Sequence, residues 1–412
     1  MYDNIDFNDI FILPAKHLCC SDFSKFYPII NDQIYKEKPI DSRNGKVYEF
    51  LDFKTVLNNP YQRCTGVLGR DMNIFFLLAE ALWIVAGRKD VKFLEFFNSR
   101  IKDFSDDGQV FHAPYGWRLQ NLGIPSKYNG WNKCYGINQI EKVLKILSKN
   151  PADRRAVLQI WDCNLDLNMD SKDIPCNDMV FIKVRDNHLI TTIQNRSNDL
   201  HWGLPTNIFQ FSFLTELMSL CLGVELGTQI HNSQSLHVYD WSEDGKEMWK
   251  QYNEKFKFAH GNLPTIYTEF EAQKMDFNFE LINVVNADER WSEVTQTVDL
   301  LLELLEMNIL DREINPHVYD FQANKIKEKS EYLFVVYSLL CIYIDYKLSL
   351  KDIAHDEPSS IHAELFNKRR QQMIDYLSVT TIFPNQKLDI IGMAKNFFHT
   401  RLKTTDGLLG TL

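Results

Sequence analysis

The chain lacks the features that would place it at a glance, and each absence excludes something. It has no CxxC pair and no regular cysteine spacing: Cys19, Cys20, Cys64, Cys134, Cys163, Cys176, Cys221 and Cys341 are scattered. That pattern carries no zinc signature, so no metal is expected, and it fits free thiols in a reducing, cytoplasmic compartment. Basic charge is not in excess. A net charge of −10 argues against a general nucleic-acid partner, although a few clustered arginines can still hold a small anion. Long apolar runs are missing too. The longest, LFVVYSLLCIYI at 333–344, ends at Asp345, which is too short for a bilayer and reads as a buried helix. The opening MYDNIDFNDIFILPAKH has acidic residues and no uninterrupted apolar core, so no signal peptide is expected. There is no internal repeat and no low-complexity linker.

What remains is ordinary globular composition, 45% apolar and 24% charged over 412 residues, with room for two or three domains. Residues 1–45, and 1–40 in particular, read as an irregular segment with three prolines and mixed charge, wrapped on the domain that follows. Strands are expected at 47–53, 156–161, 179–184, 188–197 and 234–241, the third and fourth joined at Arg185-Asp186-Asn187. Helices are expected at 73–87, closed by Gly87, at 137–151, and at 206–223, closed by Gly223. From about 286 the pattern turns helical throughout, at 291–310, 331–348 and 362–377. The division is a mixed α/β (α+β) catalytic domain over 1–285 and an all-helical extension over 286–412.

Within residues 1–285 a single stretch concentrates chemistry: PCNDMVFIKVRDNHLITTIQNRSNDLHWGLPTNIF, from Pro175. Cys176 is a possible thiolate nucleophile, and Arg196 in a neighbouring strand is the positive charge that would lower its pKa. Asn207 pairs a donor with an acceptor, which suits the O4/N3 edge of uracil; as a residue near a helix start it could equally be an N-cap. Arg154-Arg155 stands at a strand start, either as a solvated pair or as a phosphate clamp. His237 and Tyr239 are two apart on a strand and could reach a sugar hydroxyl or be satisfied core groups. Glu80 sits inside an apolar helix and needs a partner, water or a ligand.

These residues resemble the thymidylate synthase and pyrimidine hydroxymethylase family. The matches are DRRAVLQIWD (153–162), PCN (175–177), QNRSNDLHWGLPTNI (194–208) and SLHVY (235–239). LLAEALWIVAG (77–87), YGWR (115–118) and SRNG (42–45) join them in the same order. The resemblance implies a mixed sheet with packed helices and one-carbon transfer from 5,10-methylenetetrahydrofolate to C5 of a pyrimidine nucleoside monophosphate. Cys176 would add to C6. Arg196 and Ser197 would hold the phosphate, joined by Arg154 and Arg155 from a second subunit of a homodimer, and Arg43 would close over it. Asn207 would read the base, and Glu80 would organise water and proton transfers. Tyr115 and Asp199 would assist at C5 and the folate, and His237 and Tyr239 would hold the sugar.

The sequence departs from thymidylate synthases in four places. Asn177 follows the cysteine where they carry histidine, and Lys102 and Phe104 occupy the region of their folate-flanking tryptophan. SLHVY replaces their usual motif, and a helical extension ending in TTDGLLGTL stands where a short apolar tail seals the folate. A synthase must exclude water, whereas a hydroxymethylase must admit it. The expected reaction is therefore conversion of dUMP to 5-hydroxymethyl-dUMP, with asparagine at 207 favouring uracil where cytidylate enzymes carry aspartate. Thymidylate synthesis is the alternative. A synthase-like binding or regulatory protein is the alternative of another class, opposed by the intact Cys176, Arg196, Glu80 and Asn207.

Overall fold

The computed structural model describes residues 17–20, 23–43, 45–64, 72–122, 136–240, 274–279, 286–310 and 316–354, with the single position 394. The expected helix at 362–377 lies outside them, as do residues 1–16 and the C-terminal TTDGLLGTL. The strands are β1 (His17–Cys20), β2 (Ile40–Ser42), β3 (Gly45–Leu57), β4 (Val157–Gln159), β5 (Asn177–Arg185), β6 (His188–Asn195), β7 (Asn198–Asp199) and β8 (Glu225–Tyr239). They form one mixed sheet in the order β1-β3-β8-β6-β5-β4, with β2 paired to β3 and β7 to β8. The mixed α/β architecture expected from the sequence is the one found.

Two local features set the sheet's geometry. The β5–β6 hairpin turns on Asp186 and Asn187, both with positive φ, a conformation these two residue types tolerate and two-residue hairpins require. β6 and β8 then run parallel, so the chain between them must cross over as a helix. That helix is α7 (Gly203–Leu222), stopped by Gly223 in the left-handed conformation. β7 extends the carboxyl end of this parallel pair, with Asp199 opposite His237.

Around the sheet lie α1 (Phe23–Ile34), α2 (Ile74–Val85), α3 (Val91–Phe97), α4 (Tyr115–Asn121), α5 (Gln139–Lys149) and the short α6 (Cys163–Asp166). Asn73 caps α2 through Phe76 N, and Ala86 closes it just ahead of Gly87 at φ 64°. Every side chain of α2 is buried except those of Phe76 and Glu80, which are partly so. A helix apolar on all sides needs cover on all sides. α7 supplies one side, and α8 (Ala287–Leu310) and α10 (Glu331–Ala354) supply others; α9 (Pro316–Lys329) packs on both of these. Tyr343 of α10 stacks on Phe75 of α2 at 4.5 Å and on Phe97 at 5.7 Å. The run at 333–344 is thus a buried helix, and no helix among the described residues is long and apolar enough to cross a membrane.

The irregular segment expected over 1–45 needs correction, because β1, α1 and β2 occupy much of it. Pro28 and Asn31 argue against a helix by propensity, since an interior proline costs about 3 kcal/mol. Tertiary burial overrides that cost: Phe23, Tyr27, Ile30 and Ile34 line one face and pack with Phe50, Phe53, Leu200, Leu204 and Leu236 in a second core. α7 also begins earlier than expected, and β8 is longer.

Gly116 lets α4 lie against α2, because a Cβ there would stand 2.1 Å from the Ile84 carbonyl oxygen. Gly116→Ala must push the two helices apart, and overpacking of this kind costs about 1–3 kcal/mol. Urea denaturation is expected to register a loss of that size, with Tyr115 displaced.

Candidate active site

Cys176 lies immediately before β5, where its chain crosses the end of β6. The Arg196 guanidinium holds this crossing. Its Nε donates to Pro175 O at 2.8 Å and its Nη2 to Ile174 O at 3.0 Å, while Arg196 N donates to Cys176 O at 3.0 Å. Nη2 also stands 3.8 Å from Cys176 Sγ, leaving the two donors on Nη1 for a ligand. Ser197 follows, half-buried. The guanidinium also lies 5.8 Å from the Trp161 ring centroid.

Burial pushes the Cys176 thiol above its ordinary value; Arg196 pulls it down, and Asp173, Asp178 and Asp199 push it up again. The lowering expected from Arg196 operates but is outweighed. At neutral pH the group is a thiol that needs a base or further positive charge before it attacks.

Asn207 is no helix cap. α7 begins at Gly203, so Asn207 stands inside it, buried at 7% exposure, and joins a row of amides. Asn195 Nδ2 donates to Asn177 Oδ1, and Asn177 Nδ2 donates to Asn207 Oδ1 at 3.1 Å. Asn207 Nδ2 donates to Asn198 Oδ1 at 3.1 Å, and Asn198 Nδ2 to Ser233 Oγ at 3.2 Å. Asn207 retains one N–H and one carbonyl lone pair. Tyr115, at the start of α4, has its phenol pushed upward by burial, against a smaller lowering from the Asn177 side chain and the Cys176 backbone.

Glu80 reaches the same region from α2, where Gln210 Nε2 donates to its Oε2. Burial lifts its pKa to about 8, the Gln210 bond lowers it and Asp173 raises it. Asp173 itself accepts from Ala113 N at 2.7 Å, and burial carries its pKa to about 6. Asp199 accepts from His201 N at 2.7 Å and Trp202 N at 2.5 Å. Across the β7–β8 pair is His237, whose buried Nδ1 has no hydrogen-bond partner among the described residues, with the Tyr239 ring edge-on at 5.2 Å.

Three expected residues do not join this group within one chain. Arg43 sits on the exposed β2–β3 turn, beyond the Tyr239 end of β8. Arg154 and Arg155 are exposed beside β4, roughly 20 Å along β5 from Cys176 at strand rise, and Arg155 is paired to Asp153 at 2.7 Å. The sequence reading missed Asp173, Gln210, Asn195 and Asn198. Gln210 was findable, since it lies one helical turn from Asn207. Arg118, the last residue of the YGWR stretch, forks onto Asp166 at 2.6 and 2.8 Å and ties α4 to the segment after β4. Burial alone would raise the Asp166 carboxyl, but Arg118 and the Asp162 N–H hold it below its ordinary value.

A family model described as thymidylate synthase matches residues 66–328, and the chain belongs to that family. It is 39% identical over 220 residues to the deoxyuridylate hydroxymethyltransferase of Bacillus phage SP01, covering 52% of this chain and 57% of that one. It is 38% identical over 203 residues to the protein of the same name from Pseudomonas phage M6, covering 48% and 54%. It is 29% identical over 204 residues to a putative thymidylate synthase of Methanosarcina acetivorans, covering 50% and 79%. The chain thus spans about half the length of the phage relatives. The family acts on pyrimidine nucleoside monophosphates and uses methylenetetrahydrofolate as co-substrate. The Trp202 indole is 53% exposed beside Asp199.

Glu80 supplies a pH test. Its folded pKa of about 8 lies above the unfolded value of 4.5, so the folded chain binds the extra proton between them. Stability is therefore full below 4.5 and falls as pH rises through about 8, by at most about 1.4 kcal/mol per pH unit for one proton. Unfolding free energies measured from pH 5 to 9 are expected to fall less steeply in Glu80→Gln than in the parent chain.

Proposed function

We propose that the chain transfers a one-carbon unit to C5 of dUMP and gives 5-hydroxymethyl-dUMP. The observation that carries this reading is the convergence of Cys176, Arg196, Asn207 and Tyr115 on one end of the sheet, with Glu80 beside them. Methylenetetrahydrofolate would supply the carbon at the oxidation level of formaldehyde, held at Trp202 and Asp199. Cys176 Sγ adds to C6 as its proton leaves, and C5 becomes nucleophilic once the ring's conjugation is broken. After transfer, loss of the C5 proton breaks the bond to the folate nitrogen and leaves an exocyclic methylene on C5; once water has added to that methylene, the thiolate departs from C6. Glu80, protonated at neutral pH, donates and recovers a proton near the C4 oxygen and orders water through Gln210. Water adds to the carbon, so dUMP, methylenetetrahydrofolate and water give 5-hydroxymethyl-dUMP and tetrahydrofolate.

Arg196 and Ser197 bind the phosphate, Arg43 closes over it, and Arg154 and Arg155 come from a second copy in a homodimer. The exposure of those arginines and their distance from their own Cys176 support that arrangement. His237 and Tyr239 hold the sugar. The helices after residue 286 are an extension of the 1–285 catalytic domain that covers the helix carrying Glu80. A second reading, reductive methylation to dTMP, draws on the likeness to the putative thymidylate synthase.

Incubation with dUMP and methylenetetrahydrofolate is expected to yield a nucleotide heavier by one CH2O unit, with tetrahydrofolate released. A gain of one CH2 unit with dihydrofolate absorbance would favour the second reading. Cys176→Ala is expected to lower the rate by about four orders of magnitude or more.

A further inference from the structure

The buried amides around Asn207 form a row with one direction. Asn177, Asn195 and Ser233 are 0% exposed and Asn198 is 1% exposed. They come from four separate strands, and α7 inserts Asn207 at the middle. Asn177 and Asn195 are direct neighbours in the β5–β6 register, so their side chains meet across the pair. Each asparagine passes its N–H to the oxygen of the next, from Asn195 through Asn177, Asn207 and Asn198 to Ser233. The Asn195 amide heads the row, and among the described residues no group donates to its buried Oδ1. Turning any one amide over would set N–H against N–H on one side and oxygen against oxygen on the other.

We propose that Asn195, Asn177 and Asn198 are positioning residues that fix which way round the Asn207 amide points, and so select uracil over cytosine. This rests on the reading of the site as one that binds a pyrimidine nucleotide. Uracil presents an acceptor at O4 beside a donor at N3; cytosine presents a donor at N4 beside an acceptor at N3. The two edges are complements, and a carboxamide serves one or the other by exchanging its oxygen and nitrogen. Held as it is, Asn207 offers a fixed N–H and a fixed lone pair. A buried polar group left unmatched by the wrong base is what gives such a site its discrimination.

The direction of the row can be reversed by chemistry at its ends. An ionised aspartate only accepts. Asn195→Asp makes Asn177 donate toward residue 195, which turns its oxygen to Asn207 and turns Asn207 over; Asn198 follows, and the Ser233 hydroxyl becomes the donor. Asn198→Asp accepts from Asn207 and Ser233 together and keeps the present direction. The same substitution at the two ends therefore has opposite consequences, which a general loss of packing or an added negative charge would not produce.

The test is calorimetric titration of the full chain with dUMP and with dCMP at pH 9, where the new carboxylates are ionised. The parent and Asn198→Asp are expected to prefer dUMP. Asn195→Asp is expected to shift the ratio of dissociation constants toward dCMP by tenfold or more. If Asn195→Asp does not fold, Asn177→Asp reverses the row by the same rule one step nearer Asn207. A parent chain that prefers dUMP, with folded variants that keep its ratio or shift alike, overturns the positioning role alone. A parent chain that binds neither nucleotide overturns the nucleotide reading and the selection with it.

Discussion

Arg196 commits its donors to the carbonyls of Ile174 and Pro175 before any ligand arrives, and the order of the site follows from that commitment. Residues 174–176 are not part of a strand, so their carbonyls lack ladder partners. A planar guanidinium satisfies two of them at once and fixes its own position in doing so. The nucleophile and its neighbouring cation are thereby held by one set of bonds. Arg118 does the same for the opposite wall, tying the turn that carries Tyr115 to Asp166 and Ile160. The reacting side chains thus stand on backbone held by two arginine forks, Arg118 buried and Arg196 exposed.

The charge balance around Cys176 is unfavourable to its own chemistry. Asp173, Asp178 and Asp199 act on the sulfur, and Arg196 is the cation that opposes them. A phosphate monoester entering this field adds negative charge. The proposed approach of Arg43 from its hairpin, and of Arg154 and Arg155 from a second copy, would supply the positive charge that offsets it. The raised carboxyls of Glu80 and Asp173 owe their shifts first to burial: Glu80, at about 8, keeps its proton at neutral pH, whereas Asp173, at about 6, has largely lost its own.

The sequence announced some elements plainly and concealed others for identifiable reasons. α2 was legible because its apolar run is bracketed by Asn73 and Gly87. The start of α7 was obscured by Gly203 and Pro205, which read as breakers, yet a proline in the first turn forfeits no helical bond. β8 was shortened because Gln229, His231 and Ser233 look like loop residues; they face the buried polar layer under α7, where Gln229 donates to Ile208 O. At the site, Cys176, Arg196 and Asn207 stood out as motif residues. Asp173 and the asparagines flanking Asn207 acquire meaning only through contacts between strands far apart in the chain. Local pattern carries no information about such contacts.

Tyr343 stacked on Phe75 ties an early helix of the chain to one of the last described. Protein synthesis turns that into a matter of timing. At about 5–20 residues per second, α2 leaves the ribosome tens of seconds before α10 exists to cover it. Until then the side of α2 that α10 covers, Phe75 among it, has no permanent partner. The nascent chain must therefore hold that side under transient cover, and a message cut short before codon 331 would leave Phe75 without its stacking partner.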